Sequence, residues 1–226
     1  MKIKTVLIAS VGVATVATTA HSCLALATSS VGLAVIKTIL LGGIKKGLAT
    51  FKDPNAFLEN NLIDQAMPQQ LRNITNVLEK VAPNVVQKQR TYLAQAAAYT
   101  ANVSEPILTN AVNGLTAEDI TRISNGGSGV ATQILKEKTE QQLIATIAPR
   151  VEQELNKNGI TKTINAALQG NNLLGGILGG NTASSQNVSP TGLSQMLSGF
   201  LVDGLFNLVE DYEKQNQSQI INAIKK

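Results

Sequence analysis

Thr191-Gly-Leu-Ser-Gln-Met-Leu-Ser-Gly-Phe-Leu-Val-Asp-Gly-Leu-Phe-Asn-Leu-Val-Glu-Asp-Tyr-Glu-Lys-Gln215 is the stretch on which the fold turns. At about 100° per residue, Leu197, Leu201, Leu205, Leu208 and Tyr212 fall on one side of a helix. Val202, Phe206 and Val209 widen that apolar arc past half the circumference. A helix apolar over so wide an arc is buried on several sides, so this segment is expected at the centre of a helical core. Its narrow polar face carries Asp203, Asn207 and Glu210.

Upstream of it the composition shifts. From Gly170 to Pro190 the chain is mostly Gly, Asn, Ser and Thr around a small apolar island, Leu173-Leu174 and Ile177-Leu178. That reads as a flexible loop over 170–190. Before it come a short helix at 160–168 and a longer one carrying Ile134, Leu135, Leu143, Ile144, Ile147 and Val151, with Pro149 as a candidate kink. Asn113-Gly114, Asn125-Gly126 and Asn158-Gly159 are flanked by apolar residues at a period near 3.6, so each is read as a helix end and not a hairpin. Thr116-Ala-Glu-Asp119 has capping-box spacing, with Asp where Glu is usual. Asn125-Gly-Gly-Ser128 is expected to stop that short helix and cap the next.

The first half repeats the pattern. Val35, Ile36, Ile39, Leu40, Ile44 and Leu48 mark a helix over 30–51, in which Gly42, Gly43 and Gly47 predict a bend or a close helix contact. Asp53-Pro54 is an N-cap followed by a first-turn proline. Pro68 opens a helix striped by Leu71, Ile74, Leu78 and Val81. A helix over 84–102 follows, and Ser104 is expected to cap a separate one containing Pro106 and Leu108. Beyond the long final helix, Ile220-Ile221 and Ile224 make a last amphipathic turn. No segment shows convincing strand alternation. The expected fold is all-α: a single helical, bundle-like domain over 28–226 of about eight to ten helices.

The amino terminus decides which residues count. Lys2 and Lys4 precede an uncharged apolar run from Val6 to Ala20, the layout of a secretory signal peptide. Two processing sites compete. Ala25-Leu26-Ala27 predicts a signal over 1–27 and a mature chain from Thr28. Ala20-His21-Ser22-Cys23 is a loose lipoprotein box, predicting a signal over 1–22 and a lipidated Cys23. Either way the protein is expected to be exported, to the periplasm or the outer membrane, with a lipid anchor in the second case.

Export changes the arithmetic. The whole chain has one His, one Cys and a net charge of +4. His21 leaves with the signal, Cys23 leaves or is acylated, and 17 basic residues remain against 15 acidic. Ser-His-Asp and Cys-His catalysis then lack their side chains, and so do nitrogen- and sulfur-ligated zinc sites. Nucleic acid is not an expected partner, because there is no dense basic stripe and aromatic residues make up only 3% of the chain. Asn and Gln number 36 against 34 charged side chains, so little long-range steering is expected.

The order of motifs resembles an exported bacterial family known as domain of unknown function number 4197. The resemblance spans about 36–216 and rests on Leu115-Thr-Ala-Glu-Asp119, Gly126-Gly127, Ala131-Thr132, Thr139, Leu143, Pro149 with Val151, and Asp203-Gly-Leu-Phe206 followed by Glu210 and Glu213. Phe57-Leu-Glu-Asn60 and the Pro68 region match its early segment. Tyr92-Leu-Ala-Gln-Ala-Ala-Ala-Tyr99 lacks the charges the family carries there, and Ile134 and Leu135 replace expected aromatics. The resemblance implies an all-helical exported domain and brings no activity with it.

Candidate chemistry is sparse. Gly126-Gly-Ser-Gly129 ahead of a helix has the makings of an anion-binding nest, without the strand or lysine of a P-loop. A plain loop with a serine cap is the simpler reading. Asp203, Asn207 and Glu210 form the candidate functional surface; they suit acid–base work or a cation, or, more simply, a solvated stripe paired with Arg122 or Arg150. Lys37, Lys45 and Lys46 give the first helix a basic side suited to an anionic membrane surface. No catalytic, metal or cofactor residue is assigned. The expected function is a non-catalytic envelope protein, a helical binding or scaffolding domain for a protein or apolar ligand. The alternatives are a lipid-binding helical pocket at the membrane surface and a hydrolase using carboxylates alone, for which Asp203 must converge with Glu118 or Glu152.

Overall fold

The computed structural model describes residues 30–81, 83–170 and 189–224. The expectations for the signal peptide, Cys23 and the apolar island at 173–178 lie outside the described residues. Within them are ten helices: α1 (Ser30–Lys52), α2 (Pro54–Leu58), α3 (Asn61–Gln65), α4 (Gln69–Val81), α5 (Pro83–Asn113), α6 (Ala117–Gly126), α7 (Val130–Lys157), α8 (Ile160–Gly170), α9 (Pro190–Gln215) and α10 (Gln217–Ile224). No strand occurs among the described residues.

The four long helices close a ring in which α1 packs on α5, α5 on α7, α7 on α9, and α9 back on α1. Directions follow from contacts between their ends. Lys37 near the start of α1 donates to the carbonyl of Asn113 at the end of α5. Glu213 near the end of α9 meets the start of α7, while Thr191 at the start of α9 meets Glu152 late in α7. Gly43 of α1 lies against Val209, and Gly47 against Leu205 one turn earlier on α9. Each neighbour is therefore antiparallel, which makes an up-down-up-down four-helix bundle. Ile36, Leu40, Phe51, Ala101, Leu108, Leu135, Leu143, Leu201 and Leu205 are at most 1% exposed and form its core.

α9 is the central helix expected of its sequence: Leu197, Leu201, Leu205 and Leu208, with Val202, Phe206 and Val209, are all buried, and Tyr212 is half-buried. By length and composition α9 could cross a membrane, but 67% of its most apolar window is buried among the other helices, as in a core helix. The glycines of α1 resolve to the close contact. At Gly42, Gly43 and Gly47 a Cβ would meet Tyr212, Val209 and Leu205 at 2.9, 3.2 and 2.9 Å. The apolar side of α1 is thus committed to α9 and α5, and Lys37 is taken up at the end of α5. Lys45 and Lys46 remain exposed, with the Lys46 ammonium 5.7 Å from the centre of the Tyr212 ring.

Local signals held where they were self-contained. The Asp53 carboxylate accepts from the N–H groups of Asn55 and Ala56, starting α2. Asn60 caps α3 through Leu62 and Ile63, a cap the sequence reading did not assign. Phe57 of α2 stacks edge-on against Phe51 of α1, ring centres 5.0 Å apart.

Two expected boundaries are corrected. Ser104 does not cap a new helix: α5 runs unbroken for 31 residues with Pro106 inside it. Ala97, Ala101, Ser104, Leu108 and Val112 form one buried stripe across the site, and burial of that stripe outweighs the hydrogen bond that proline removes. The orphaned carbonyl belongs to Asn102, an exposed residue that water can serve. Ser104 itself is fully buried with its hydroxyl unpaired. The second correction concerns Ser128, which does not cap α7. The N-cap is Gly129, at φ 87°, with no cap bond from its own neighbourhood.

Candidate functional site

The group that caps α7 comes from 84 residues further along the chain. Glu213 of α9 accepts from the backbone N–H of Gly129 at 3.0 Å, Ala131 at 3.2 Å and Thr132 at 2.7 Å, and it is 1% exposed. Gly127 and Gly129, at φ 83° and 87°, turn the loop so that these donors converge. Of the candidate nest Gly126-Gly-Ser-Gly129 only the Gly129 N–H takes part, beside those of Ala131 and Thr132 in the first turn of α7, and the anion is the protein's own carboxylate. Helix N-termini favour negative charge, so this contact fastens the end of α9 to the start of α7.

The candidate surface on α9 is likewise taken up by contacts within the chain. Asp203 pairs with Lys136 of α7 at 2.6 Å, and Lys136 also reaches Glu140 at 3.6 Å. Burial alone would lower the Lys136 pKa, but the hydrogen bond and charge of Asp203, with Glu140, outweigh it and raise it above 10.5. Asn207 donates to the carbonyl of Leu62 at 2.9 Å, holding α3 on α9. Glu210 pairs with Lys214 at 2.6 Å. The expected partners Arg122 and Arg150 are engaged elsewhere, with Glu137 at 3.0 Å and Glu154 at 2.9 Å. Lys136 takes their place because the antiparallel register of α7 and α9 sets it level with Asp203.

The pairing of Asp203 with Glu118 or Glu152 that the carboxylate-only alternative requires is not among the contacts the described residues make. Glu152 accepts from the Thr191 hydroxyl at 3.0 Å. Thr191 lies twelve residues before Asp203 on α9, roughly 18 Å along the axis. Glu118 is exposed in the first turn of α6. Among the described residues no three acidic, His or Cys side chains cluster as a metal site would need.

Asp119 completes the capping box of α6. Its carboxylate accepts from the Thr116 N–H at 2.8 Å and hydroxyl at 2.9 Å, and pairs with Lys138 of α7 at 3.1 Å. Burial alone would raise its pKa; the Thr116 N–H, the Lys138 ammonium and the Thr116 hydroxyl outweigh it and hold the carboxyl below its ordinary 3.8. A carboxyl with a depressed folded pKa contributes stability that is present above its unfolded value and lost as pH falls through the folded one. The gap in unfolding free energy between wild type and Asp119→Asn is therefore expected to be constant near neutrality and to shrink below about pH 4. Urea unfolding at a series of pH values measures it; a gap unchanged down to about pH 2 contradicts the assignment.

At the opposite end of the bundle from Glu213, an apolar cleft opens between α4, α5, α7, α8 and α9. Leu71, Leu93, Leu155, Ile164 and Leu197 line it, with Tyr92 and Glu154 as its polar members, and its cavity volume is about 40 Å³. A second hollow of about 100 Å³, lined by Gln95, Tyr99 and Arg150, shares Ala96, Val151 and Glu154 with it. The Glu154 carboxylate is held by Arg150 at 2.9 Å and by the Asn158 amide at 3.3 Å. A separate hollow of about 120 Å³ near Phe57, Asp64, Arg90 and Phe200 has a more mixed lining. Sequence periodicity marks Leu71, Ile74, Val151, Leu197 and Leu201 of its lining as core positions. It does not mark that five helix faces meet there and leave a gap.

Bundle, internal carboxylate clamp and apolar cleft together define an all-helical domain whose polar chemistry is largely internal and whose hollow is greasy. The chain belongs to the family described as proteins of unknown function, DUF4197, which matches residues 27–224. That family description carries no catalytic assignment. No curated protein and no solved structure matches the chain.

Proposed function

We propose that this protein is an exported, non-catalytic helical binding domain whose ligand site is the apolar cleft between α4, α5, α7, α8 and α9. The cleft carries the reading. Its walls are aliphatic with a few polar groups, Tyr92 and Glu154, the usual composition of small-ligand sites. The polar residues singled out on α9 argue the same way, since Asp203 and Asn207 bond to neighbouring helices and Glu210 to exposed Lys214 one turn along α9. Export rests on Lys2, Lys4 and the apolar run to Ala20.

One preparation tests both parts. Protein purified without detergent from an exporting bacterial host is expected to carry an apolar small molecule by native mass spectrometry. Ala96→Phe, which enlarges a residue lining both hollows, is expected to lose that adduct while keeping its helical circular dichroism. A wild-type protein that neither retains nor takes up any apolar compound overturns the binding reading. Denaturing mass of the same sample reads the amino terminus: Thr28, or an acylated Cys23, agrees with export, and a chain starting at Met1 does not.

A further inference from the structure

The hollow near Phe57 and Phe200 differs from the cleft in carrying charge of both signs. It lies among α2, α3, α4 and α5, with Phe200 of α9 also lining it. Phe57, Ile63 and Phe200 are buried and Met67 is half-buried, which gives it apolar walls. Three charged residues share the lining: Asp64, Glu79 and Arg90. Asp64 is already neutralised. Arg72 pairs with its carboxylate at 3.3 Å and donates to the carbonyl of Met67 at 3.2 Å, which holds the guanidinium in place. Glu79 and Arg90 are exposed, and among the described residues they enter no ion pair with each other or with a third group. One free negative and one free positive charge therefore stand on the same small apolar hollow.

We propose that this hollow binds a free aliphatic α-amino acid, with its side chain against Phe57, Ile63, Met67 and Phe200, its carboxylate on Arg90 and its ammonium on Glu79. The site does not depend on the ligand reading of the cleft. Size selects the side chain. A cavity of roughly 150 Å³ takes a benzene ring, so about 120 Å³ suits a branched side chain of about four carbons. Charge selects the head. A purely cationic ligand leaves Arg90 unmatched and a purely anionic one leaves Glu79 unmatched, whereas a zwitterion answers both. An amino acid carries its two charges on one carbon, so both fit a hollow of this size; the termini of a peptide lie further apart. A guanidinium offers a carboxylate two parallel N–H donors, and an ammonium offers three donors to the Glu79 carboxylate. Beside apolar walls these contacts are screened less by water than a fully exposed pair.

The test compares L-leucine with three probes that each lack one part: leucinamide, without the negative charge; N-acetylleucine, without the positive one; and glycine, without the side chain. Calorimetry and ligand-observed NMR are run on purified protein dialysed free of amino acids. Leucine is expected to bind wild type about tenfold tighter than leucinamide or N-acetylleucine, the worth of one charge-assisted hydrogen bond, and glycine is expected not to bind. Arg90→Gln is expected to bring leucine to the level of leucinamide, and Glu79→Gln to that of N-acetylleucine. Both positions are exposed, so the variants are expected to melt with wild type. Leucine that binds both variants as tightly as wild type sits elsewhere, and the assignment is wrong. If N-acetylleucine or leucinamide matches leucine, the site takes one end of a peptide, and the free amino acid is the wrong occupant. If none of the four binds, the site falls while the cleft, read separately by the Ala96→Phe adduct, is untouched.

Discussion

Glu213→Ala is expected to destabilise the protein by about 3–5 kcal/mol, lowering the midpoint of thermal unfolding by about 10 °C or more for a chain of this size. The carboxylate is 1% exposed and accepts three backbone N–H groups at the start of α7. Truncation leaves those donors buried with no replacement. Gly129, Ala131 and Thr132 are themselves buried, so water has poor access to them. The penalty is therefore desolvation without a bond, and not merely a lost bond that water makes good. Glu213→Gln keeps one acceptor oxygen but turns an N–H₂ toward at least one of the same donors, so an intermediate loss is expected. Glu210→Ala is the control: its pair with Lys214 is exposed, and a change below about 0.5 kcal/mol is expected. Urea unfolding of the three variants distinguishes them. If Glu213→Ala unfolds with Glu210→Ala, the clamp contributes nothing and the register of α7 on α9 is held by packing alone.

The same contact shows where reading the chain stops short. Asp53-Pro54 and Thr116 to Asp119 were legible because donor and acceptor lie within three residues of one another, and the structure forms both caps. Glu213 had a signal of a weaker kind: it continues the buried stripe of Val202, Phe206 and Val209, so a carboxylate stands where an apolar residue is expected. That pattern shows a buried acid that needs donors. It does not show that the donors lie 81 to 84 residues away, because only the antiparallel docking of α9 on α7 brings them there. Ser104 and Pro106 illustrate the opposite failure, in which local punctuation was clear and lost to the burial of a continuous stripe on α5. The cleft was legible only in part. Its residues read as core, and what distinguishes it is missing packing, which no single helix encodes.

The glycines of α1 lead to the second large effect. Gly43→Leu is expected to cost about 3 kcal/mol or more, whereas Gly199→Ala on α9 is expected to stabilise by about 0.5–1 kcal/mol. Both residues sit inside helices, where replacing glycine reduces the entropy lost on folding. What separates them is the neighbour. A Cβ at Gly199 meets nothing within 4 Å, so the gain in helix propensity stands alone. A Cβ at Gly43 lies 3.2 Å from the Val209 carbonyl oxygen as well as from its Cγ1. A side-chain tip can rotate away, but a backbone carbonyl moves only if α9 moves, and α9 is fixed on its other side by α7 and by Glu213. Gly43→Ala tests this balance, with about 1 kcal/mol of propensity set against a contact that needs a shift of a few tenths of an ångström. A result near zero is expected there. Leucine adds three carbons beyond the Cβ, and a small movement cannot clear them. Thermal melts of the three variants give the order Gly199→Ala, then wild type with Gly43→Ala, then Gly43→Leu. If Gly43→Leu melts with wild type, the bundle accommodates a wider spacing between α1 and α9, and the glycines are not what sets it.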